Sequence, residues 1–259
     1  MSKLRQIERM VLIDKPQKES TKSFKINFDP DFESYREVLK IKNLSIGYDH
    51  SLATISLKLE RGDKLGIIGE NGIGKSTLLK TLIGELKPLS GKFTFGEKTT
   101  IAYFSQQLDN LNPNNTIYDE IDKAFPSLSP QEIRTLLGCF EFTGEEVFKQ
   151  IKELSGGEKV RCLLSRMMIS GANTMVLDEP TNHLDMESIT ALNNGMIKFP
   201  GVAIFTSQDH QFVQTTANRI MEITADGSLI DKMTTYDEYL ESEAGAKKRQ
   251  KFVKTQEDN

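Results

Sequence analysis

The chain has 259 residues, of which 37% are hydrophobic and 27% charged, and this length and composition are those of a globular protein that can bury a core. A formal net charge of −4 excludes nucleic-acid binding through average charge, so any contact with RNA must come from a local patch. The two cysteines, Cys139 and Cys162, form neither a disulfide framework nor a metal-ligand spacing, and no apolar run approaches the roughly 20 residues that span a bilayer. We therefore expect a cytoplasmic protein without a transmembrane segment.

Residues 1–37 are predicted to form a linker or leader, and their charged start lacks the apolar run of a signal peptide. Two interpretations stay open: a solvated tail or end of a linker helix, and an element that faces RNA. Apolar residues at helical spacing precede a lysine-rich stretch, and these positions are Leu4, Ile7, Met10, Val11, Lys15, Lys18, Lys22 and Lys25.

A cassette of α/β class is predicted for residues 38–243. Alternating segments at 38–41 and 53–59 predict an antiparallel β subdomain. A short apolar strand at 64–69 then runs into a glycine-rich turn, and residues 75–86 carry helical periodicity. Strand, loop and helix thus follow in order.

A helical subdomain is predicted at about 107–165, with helices at 117–125 and 130–140. The α/β pattern resumes with strands and helices in alternation and ends in a hairpin and a short helix. The charged tail at 244–259 is expected to be flexible. The resumed elements are predicted at 174–178, 187–197, 202–206, 210–217, 221–223, 227–230 and 236–240.

The glycine-rich turn satisfies the P-loop pattern, in which glycines let the backbone wrap phosphates and successive N–H groups hold negative charge. Lys75 is predicted to reach the β and γ phosphates of ATP, and Ser76 to hold Mg²⁺. The alternative, a turn that merely caps a helix, is effectively excluded by the strand-loop-helix context. The predicted nucleotide-binding residues are Gly69, Glu70, Asn71, Gly72, Ile73, Gly74, Lys75, Ser76 and Thr77.

Two adjacent acids, Asp178 and Glu179, end an apolar strand, which is where α/β sheets place their ligands. Asp178 is predicted to orient the Mg²⁺ shell and Glu179 to polarise an attacking water as general base. Two acids alone could also be surface residues.

A third motif precedes a helix with an apolar face. Ser155, Gly156 and Gly157 are expected to form a bare, positive helix N-terminus that receives an anion. An ordinary N-cap is the alternative for this segment in isolation.

Together these motifs resemble those of ATP-binding cassettes. The resemblance implies a RecA-like parallel-sheet core with antiparallel and helical subdomains, and a site that two cassettes share head to tail, each offering its Ser155 segment to the other's nucleotide. It further implies that Tyr48 stacks on adenine and that Gln106 is a ligand of Mg²⁺. Packing within a strand is the alternative for Tyr48.

The segment from Pro180 to Asp185 resembles the D-loop in the form typical of ABC-F proteins. That family resemblance implies two cassettes on one chain, joined by a linker that reaches tRNA on the ribosome. We therefore expect this chain to be the second, C-terminal cassette with the end of the linker, and its partner to be an N-terminal cassette or a second copy. His183 is interpreted as a D-loop residue, because no second ligand lies at metal spacing.

One position departs from the family. Gln208 follows Ser207 where the family carries the switch histidine that contacts the γ-phosphate. Glutamine donates a hydrogen bond but carries no proton or positive charge, so slower hydrolysis with retained ATP binding is expected. His210 is out of register and is interpreted as a surface residue.

Three functions remain open from the sequence. The first is an ABC-F ATPase that acts on the ribosome in translation regulation or antibiotic resistance. The second is the ATPase subunit of a membrane transporter, docked beside Gln106. The third is a nucleotide-dependent interaction module without turnover.

Overall fold

The computed structural model describes residues 26–105, 107–108, 111–182 and 184–242. The predicted leader before residue 26, the predicted tail, Gln106 and His183 lie outside the described residues.

Nine strands and seven α-helices are present in the described part of the chain, with two short 3₁₀ helices before the fourth α-helix. Most predicted elements are found within one to four residues of their predicted ends. In chain order the elements are β1 Glu37–Gly47, β2 Ser51–Glu60, β3 Lys64–Ile68, α1 Lys75–Leu82, β4 Ser90–Phe95, β5 Ile101–Phe104, α2 Ile117–Ala124, α3 Pro130–Cys139, the 3₁₀ helices Gly144–Phe148 and Ile151–Glu153, α4 Gly156–Ile169, β6 Thr174–Asp178, α5 Met186–Lys198, β7 Val202–Thr206, α6 His210–Thr216, β8 Arg219–Ile223, β9 Leu229–Lys232 and α7 Tyr236–Glu241.

The predicted antiparallel subdomain is confirmed as a three-stranded sheet in the order β2-β1-β4. Alternate residues of β2 are buried and exposed, as expected of a strand with one face on a core. Strand β4 was not predicted from the sequence, because its residues are exposed or only half-buried and give little apolar signal.

The second sheet has six strands in the order β5-β6-β7-β3-β8-β9. Its first five strands are parallel to their neighbours, and β9 pairs with β8 in the antiparallel sense. The predicted α/β class with a parallel core is therefore confirmed. The edge strand β5 was not predicted, since it has four residues and one of them, Ile101, is exposed.

Strand order brings three loops to one edge of this sheet. Strand β7 lies between β6 and β3, and Thr206 at its end is aligned with Asp178 of β6 and with Ile67 of β3. The carboxyl ends of parallel strands meet at a single edge, so the chain segments after β3, β6 and β7 become neighbours there.

The predicted helical subdomain contains α2, α3 and the start of α4. Helices α2 and α3 begin with capping boxes, in which Thr116 and Ser129 accept main-chain hydrogen bonds from Asp119 and Glu132. Their buried faces join the larger core cluster through Ile117, Ile121, Ile133, Leu136, Leu137 and Phe140.

Residues 26–36 pack on the cassette, although they fall within the predicted leader. Ile26 and Phe28 belong to the larger buried cluster, and the Phe28 ring meets the Phe199 ring edge-on at 6.2 Å. The Asp31 N–H donates to the Gly171 carbonyl at 2.9 Å. The division between leader and cassette at residue 38 stays a prediction.

Candidate functional site

The predicted P-loop connects β3 to α1 and contains three glycines with positive φ. Gly69, with φ of 138°, has no room for a side chain, since a Cβ there would lie 2.5 Å from the Ile223 carbonyl oxygen. Gly74, with φ of 110°, is the N-cap of α1. The loop residues Glu70, Asn71 and Gly72 are exposed, so the loop is open to a ligand from solvent.

The Lys75 side chain folds back across this loop. Its Nζ donates to the carbonyl oxygens of Gly69 and Glu70, at 2.8 Å each. Burial lowers the pKa of Lys75, whereas the charges of Glu179 and Asp178 raise it. The amine is therefore held at the mouth of the loop, next to the strand-end acids.

Asp178 joins the P-loop to strand β7. Its Oδ1 accepts hydrogen bonds from the Ser76 hydroxyl at 2.9 Å and from the Thr206 hydroxyl at 2.8 Å. The Asp178 side chain is buried. A hydroxyl and a carboxylate oxygen, both of which suit Mg²⁺, thus lie in contact.

Glu179 is held in a conformation unusual for a residue other than glycine, with φ of 50°. Its N–H donates to Thr206, with the carbonyl oxygen at 3.2 Å and the hydroxyl at 3.0 Å. Its Oε2 accepts from the Gln208 N–H at 3.1 Å. Burial raises the pKa of Glu179 despite the opposing effects of that hydrogen bond and of Lys75.

Gln208 bridges the acids and the P-loop. Its main-chain N–H contacts Glu179, and its side-chain Nε2 lies 3.5 Å from Asn71 Oδ1, a long and weak contact. His210 instead lies 3.0 Å from Asp237 and beside the Tyr236 ring, in agreement with its interpretation as a surface residue. The P-loop, the acid pair and Gln208 therefore form one cluster.

Ser155 is the N-cap of α4, and its hydroxyl accepts from the Glu158 N–H at 3.3 Å. The Glu158 carboxylate reaches back to the Ser155 N–H at 2.8 Å, which lowers the pKa of Glu158. The helix tip is thus capped and partly neutralised rather than bare, because an acid stands at the capping-box position. Ser155 and Gly156 remain exposed.

Tyr48 lies between β1 and β2 and is 62% exposed, so its ring is not packed inside the sheet. Within the described part of the chain, no hydrogen bond or ion pair links Tyr48 or Ser155 with the cluster around Glu179. Their predicted roles at the nucleotide stay predictions.

Comparison with known protein families identifies the family of this chain. The family model described as ABC transporter matches residues 52–182, which include the P-loop, the Ser155 segment and the acid pair. The chain belongs to the ABC transporter family. None of the helices in the described ranges combines the length and apolar character needed to cross a bilayer.

Several curated proteins resemble this cassette. The ABC transporter ATP-binding protein YkpA of Bacillus subtilis is 46% identical over 224 residues, which cover 84% of this chain and 41% of YkpA. ABC transporter F family member 5 of Arabidopsis thaliana is 34% identical over 96% of this chain and 36% of its own length. The energy-dependent translational throttle protein EttA of Escherichia coli is 34% identical over 81% of this chain and 40% of EttA.

The cassette therefore spans less than half the length of these relatives. Among solved structures, the dimeric bacterial ABC transporter cassette MJ0796 superposes with a TM-score of 0.63 at 20% identity, over 75% of this chain and 98% of that one. This likeness confirms the predicted cassette fold.

Sequence reasoning missed two contributors to the cluster. Thr206 contacts both Asp178 and Glu179, and the Thr181 hydroxyl lies 3.1 Å from the Ser207 hydroxyl. A threonine at the end of the buried strand 202–206 is a usable signal, because a polar residue that ends an apolar strand in a parallel sheet falls at the ligand edge.

Proposed function

We propose that this chain binds ATP with Mg²⁺ and hydrolyses the γ-phosphate at a site that a second cassette completes. The observation that carries this proposal is the single cluster in which Ser76, Asp178, Thr206, Glu179 and Gln208 are joined by hydrogen bonds beside the P-loop.

Each group has a distinct part. The N–H groups of the loop from Gly69 to Gly74 and the Lys75 amine bind the triphosphate. Glu179, ionised and aimed by its contacts with Thr206 and Gln208, accepts the proton of the attacking water. The Gln208 side chain donates a hydrogen bond toward the γ-phosphate but supplies no proton, so we expect turnover to be slow. Tyr48 is proposed to stack on the adenine ring.

Magnesium fits the residues present. Ser76 and Asp178 offer two hard oxygens in contact, and Mg²⁺ in such sites takes its remaining ligands from phosphates and water. Bound there, the ion would neutralise phosphate charge during transfer. Gln106, which lies outside the described residues, stays a predicted third protein ligand.

The second cassette is proposed from the exposed tip of α4. Ser155 and Gly156 are exposed there, and although Glu158 occupies the Ser155 N–H, the N–H groups of Gly156 and Gly157 are proposed to meet the partner's nucleotide. Either an N-terminal cassette on a longer chain or a second copy would supply the partner surface.

For the cellular role, we propose an ABC-F protein that acts on the ribosome in the cytoplasm. Similarity to an F family member and to a translational throttle protein supports this, as does the form of the loop from Pro180 to Asp185. The leader at 1–37 would be the end of a linker that approaches tRNA. The alternative is an ATPase subunit of a transporter, which the family description also accommodates.

Co-sedimentation separates the two roles. The Glu179→Gln chain, expected to bind ATP without cleaving it, should pellet with ribosomes in the presence of MgATP and stay in the supernatant without ATP. A Lys75→Ala variant of the same chain is the matched control that should not pellet in either condition. Co-purification with a membrane subunit and no pelleting would contradict the ribosomal role.

A further inference from the structure

Arg161 on α4 lies between carboxylates from two different parts of the chain. Its Nη1 is 3.7 Å from Asp185 Oδ2, and its Nε is 4.0 Å from Glu141 Oε2. Glu141 follows α3 in the helical subdomain, whereas Asp185 caps α5 just after the acid pair. The same helix α4 begins at Ser155.

Both of these ion pairs are longer than hydrogen bonds. The Arg161 side chain is only 18% exposed, and its Nε is buried without a hydrogen-bond partner in the described structure. The guanidinium also lies 5.7 Å from the centre of the Phe142 ring. Neither ion pair therefore satisfies the guanidinium fully, and a small shift of α4 can shorten the contact between Nη1 and Asp185 into a charge-assisted hydrogen bond.

The two carboxylate oxygens of Asp185 make different contacts, one with the N-terminus of α5 and one with Arg161. Its Oδ1 accepts from the Ser188 N–H at 2.8 Å and caps α5, while Oδ2 faces Arg161. The Ser188 hydrogen bond is the main reason that the pKa of Asp185 is lowered, and the Arg161 charge adds to it. Asp185 is therefore charged at neutral pH and available to Arg161.

Asp185 is linked to Glu179 through two consecutive turns. The Leu184 N–H donates to the Thr181 carbonyl at 3.4 Å, and the Asn182 N–H donates to the Glu179 carbonyl at 3.2 Å. Thr181 also contacts Ser207 on the segment that carries Gln208. A displacement of Asp185 would therefore shift the main chain at Glu179 through these turns. The left-handed backbone conformation of Glu179 is maintained by the residues around it, so its side chain would move as well.

We propose that Arg161 is a positioning residue for Glu179, acting through Asp185. When a partner cassette engages the Ser155 end of α4, Arg161 moves from Glu141 toward Asp185 and draws the loop that follows Glu179 into its working position. This inference rests on the proposed ATP hydrolysis at a shared site.

The test compares two matched changes of carboxylate to amide. Asp185→Asn keeps an oxygen to cap α5 but removes the charge that faces Arg161, and it should lower kcat for ATP about tenfold with KM unchanged. Glu141→Gln removes the other carboxylate and should not lower kcat. Arg161→Lys should lower kcat by a similar factor to Asp185→Asn. The double variant that combines Arg161→Lys with Asp185→Asn should have a kcat no lower than that of the slower single variant.

The rate of MgATP hydrolysis is measured at protein concentrations high enough that the rate per chain no longer increases with concentration. Urea unfolding shows whether each variant is folded as stably as the wild type. Equal kcat for Asp185→Asn and the wild type, equal losses for Asp185→Asn and Glu141→Gln, or additive losses in the double variant would each overturn the inference. If Asp185→Asn unfolds, Arg161→Lys carries the comparison with Glu141→Gln. A wild-type chain that neither binds nor cleaves ATP contradicts the proposed function itself, and the inference falls with it.

Discussion

The main-chain N–H of Gln208 donates a hydrogen bond to the Glu179 carboxylate, with 3.1 Å between Gln208 N and Glu179 Oε2. This contact does not depend on the side chain at position 208. The proposed general base is therefore held by the main chain of Gln208 whichever side chain stands at this position. The Gln208 side chain adds a smaller interaction with the same carboxylate, and we expect its main effect at the γ-phosphate.

Gln208→His should raise the single-turnover rate of ATP hydrolysis by about 10-fold or more, because histidine restores a group that can carry a proton beside the reacting phosphate. ATP affinity should change little, since the P-loop is untouched. Rapid-quench measurement of phosphate release gives the rate, and His210→Gln, at a histidine paired with Asp237 outside the cluster, is the control. An unchanged rate in Gln208→His refutes the assigned role of position 208.

The pH dependence of kcat should show a single acidic limb set by Glu179. Burial raises the pKa of its carboxyl, and only the ionised form accepts a proton, so activity is lost as pH falls through that raised pKa and is retained above it. Rates from about pH 5 to about pH 9 check this. A limb that persists unchanged in Glu179→Asp, a carboxylate one methylene shorter, would assign the titration to another group.

Lys64 should make stability depend on pH. Its Nζ is buried against the carbonyl oxygens of Phe199 and Gly201, and burial lowers its pKa to about 7. Between about pH 7 and the ordinary pKa of a lysine, the Lys64 amine is protonated in the unfolded chain and neutral in the folded chain. The free energy of unfolding therefore rises with pH across this range.

Lys64→Met removes this contribution. The free energy of unfolding, measured with urea, should increase from about pH 7 to about pH 10 in the wild type. This increase should exceed the one in Lys64→Met by up to about 4 kcal/mol. Equal pH dependence in the two proteins would mean that Lys64 stays protonated in the fold.

Gly195→Ala should destabilise the fold by about 1–3 kcal/mol, because a Cβ at this position of α5 would lie 2.9 Å from the Ile26 carbonyl oxygen and displace residues 26–36. Gly138→Ala in α3 is the matched control, since a Cβ there meets no atom within 4 Å and alanine favours a helix. Urea unfolding of both variants decides the matter. Equal effects would show that residues 26–36 are not packed as described.

The sequence predicted which residues meet in the cluster better than it predicted the hydrogen bonds that connect them. Glycine spacing and an acid pair after an apolar strand are local signals, and they placed Lys75, Ser76, Asp178 and Glu179 correctly at one edge of the sheet. Thr206 was missed because its partners lie on strand β6, far away in sequence.

Other differences have equally physical causes. The helix tip at Ser155 was expected to be bare, yet Glu158 caps it, because capping boxes are set by the third helical residue and not by the glycines. Strands β4 and β5 gave weak patterns since they lie at sheet edges. Residues 26–36 were predicted to belong to the leader because the stretch around them is polar. The burial of Ile26 and Phe28 could not be predicted, since it depends on contacts with Gly195 and Phe199, which lie far away in the sequence.

The central claim is that Glu179 activates water for cleavage of ATP bound at the P-loop. It is tested most directly by measuring MgATP binding and phosphate release in the wild-type chain and in Glu179→Gln under the same conditions. We predict that both proteins bind ATP and that phosphate release falls at least about 100-fold in the variant. Equal phosphate release in the two proteins, or the absence of ATP binding in both, would contradict the account.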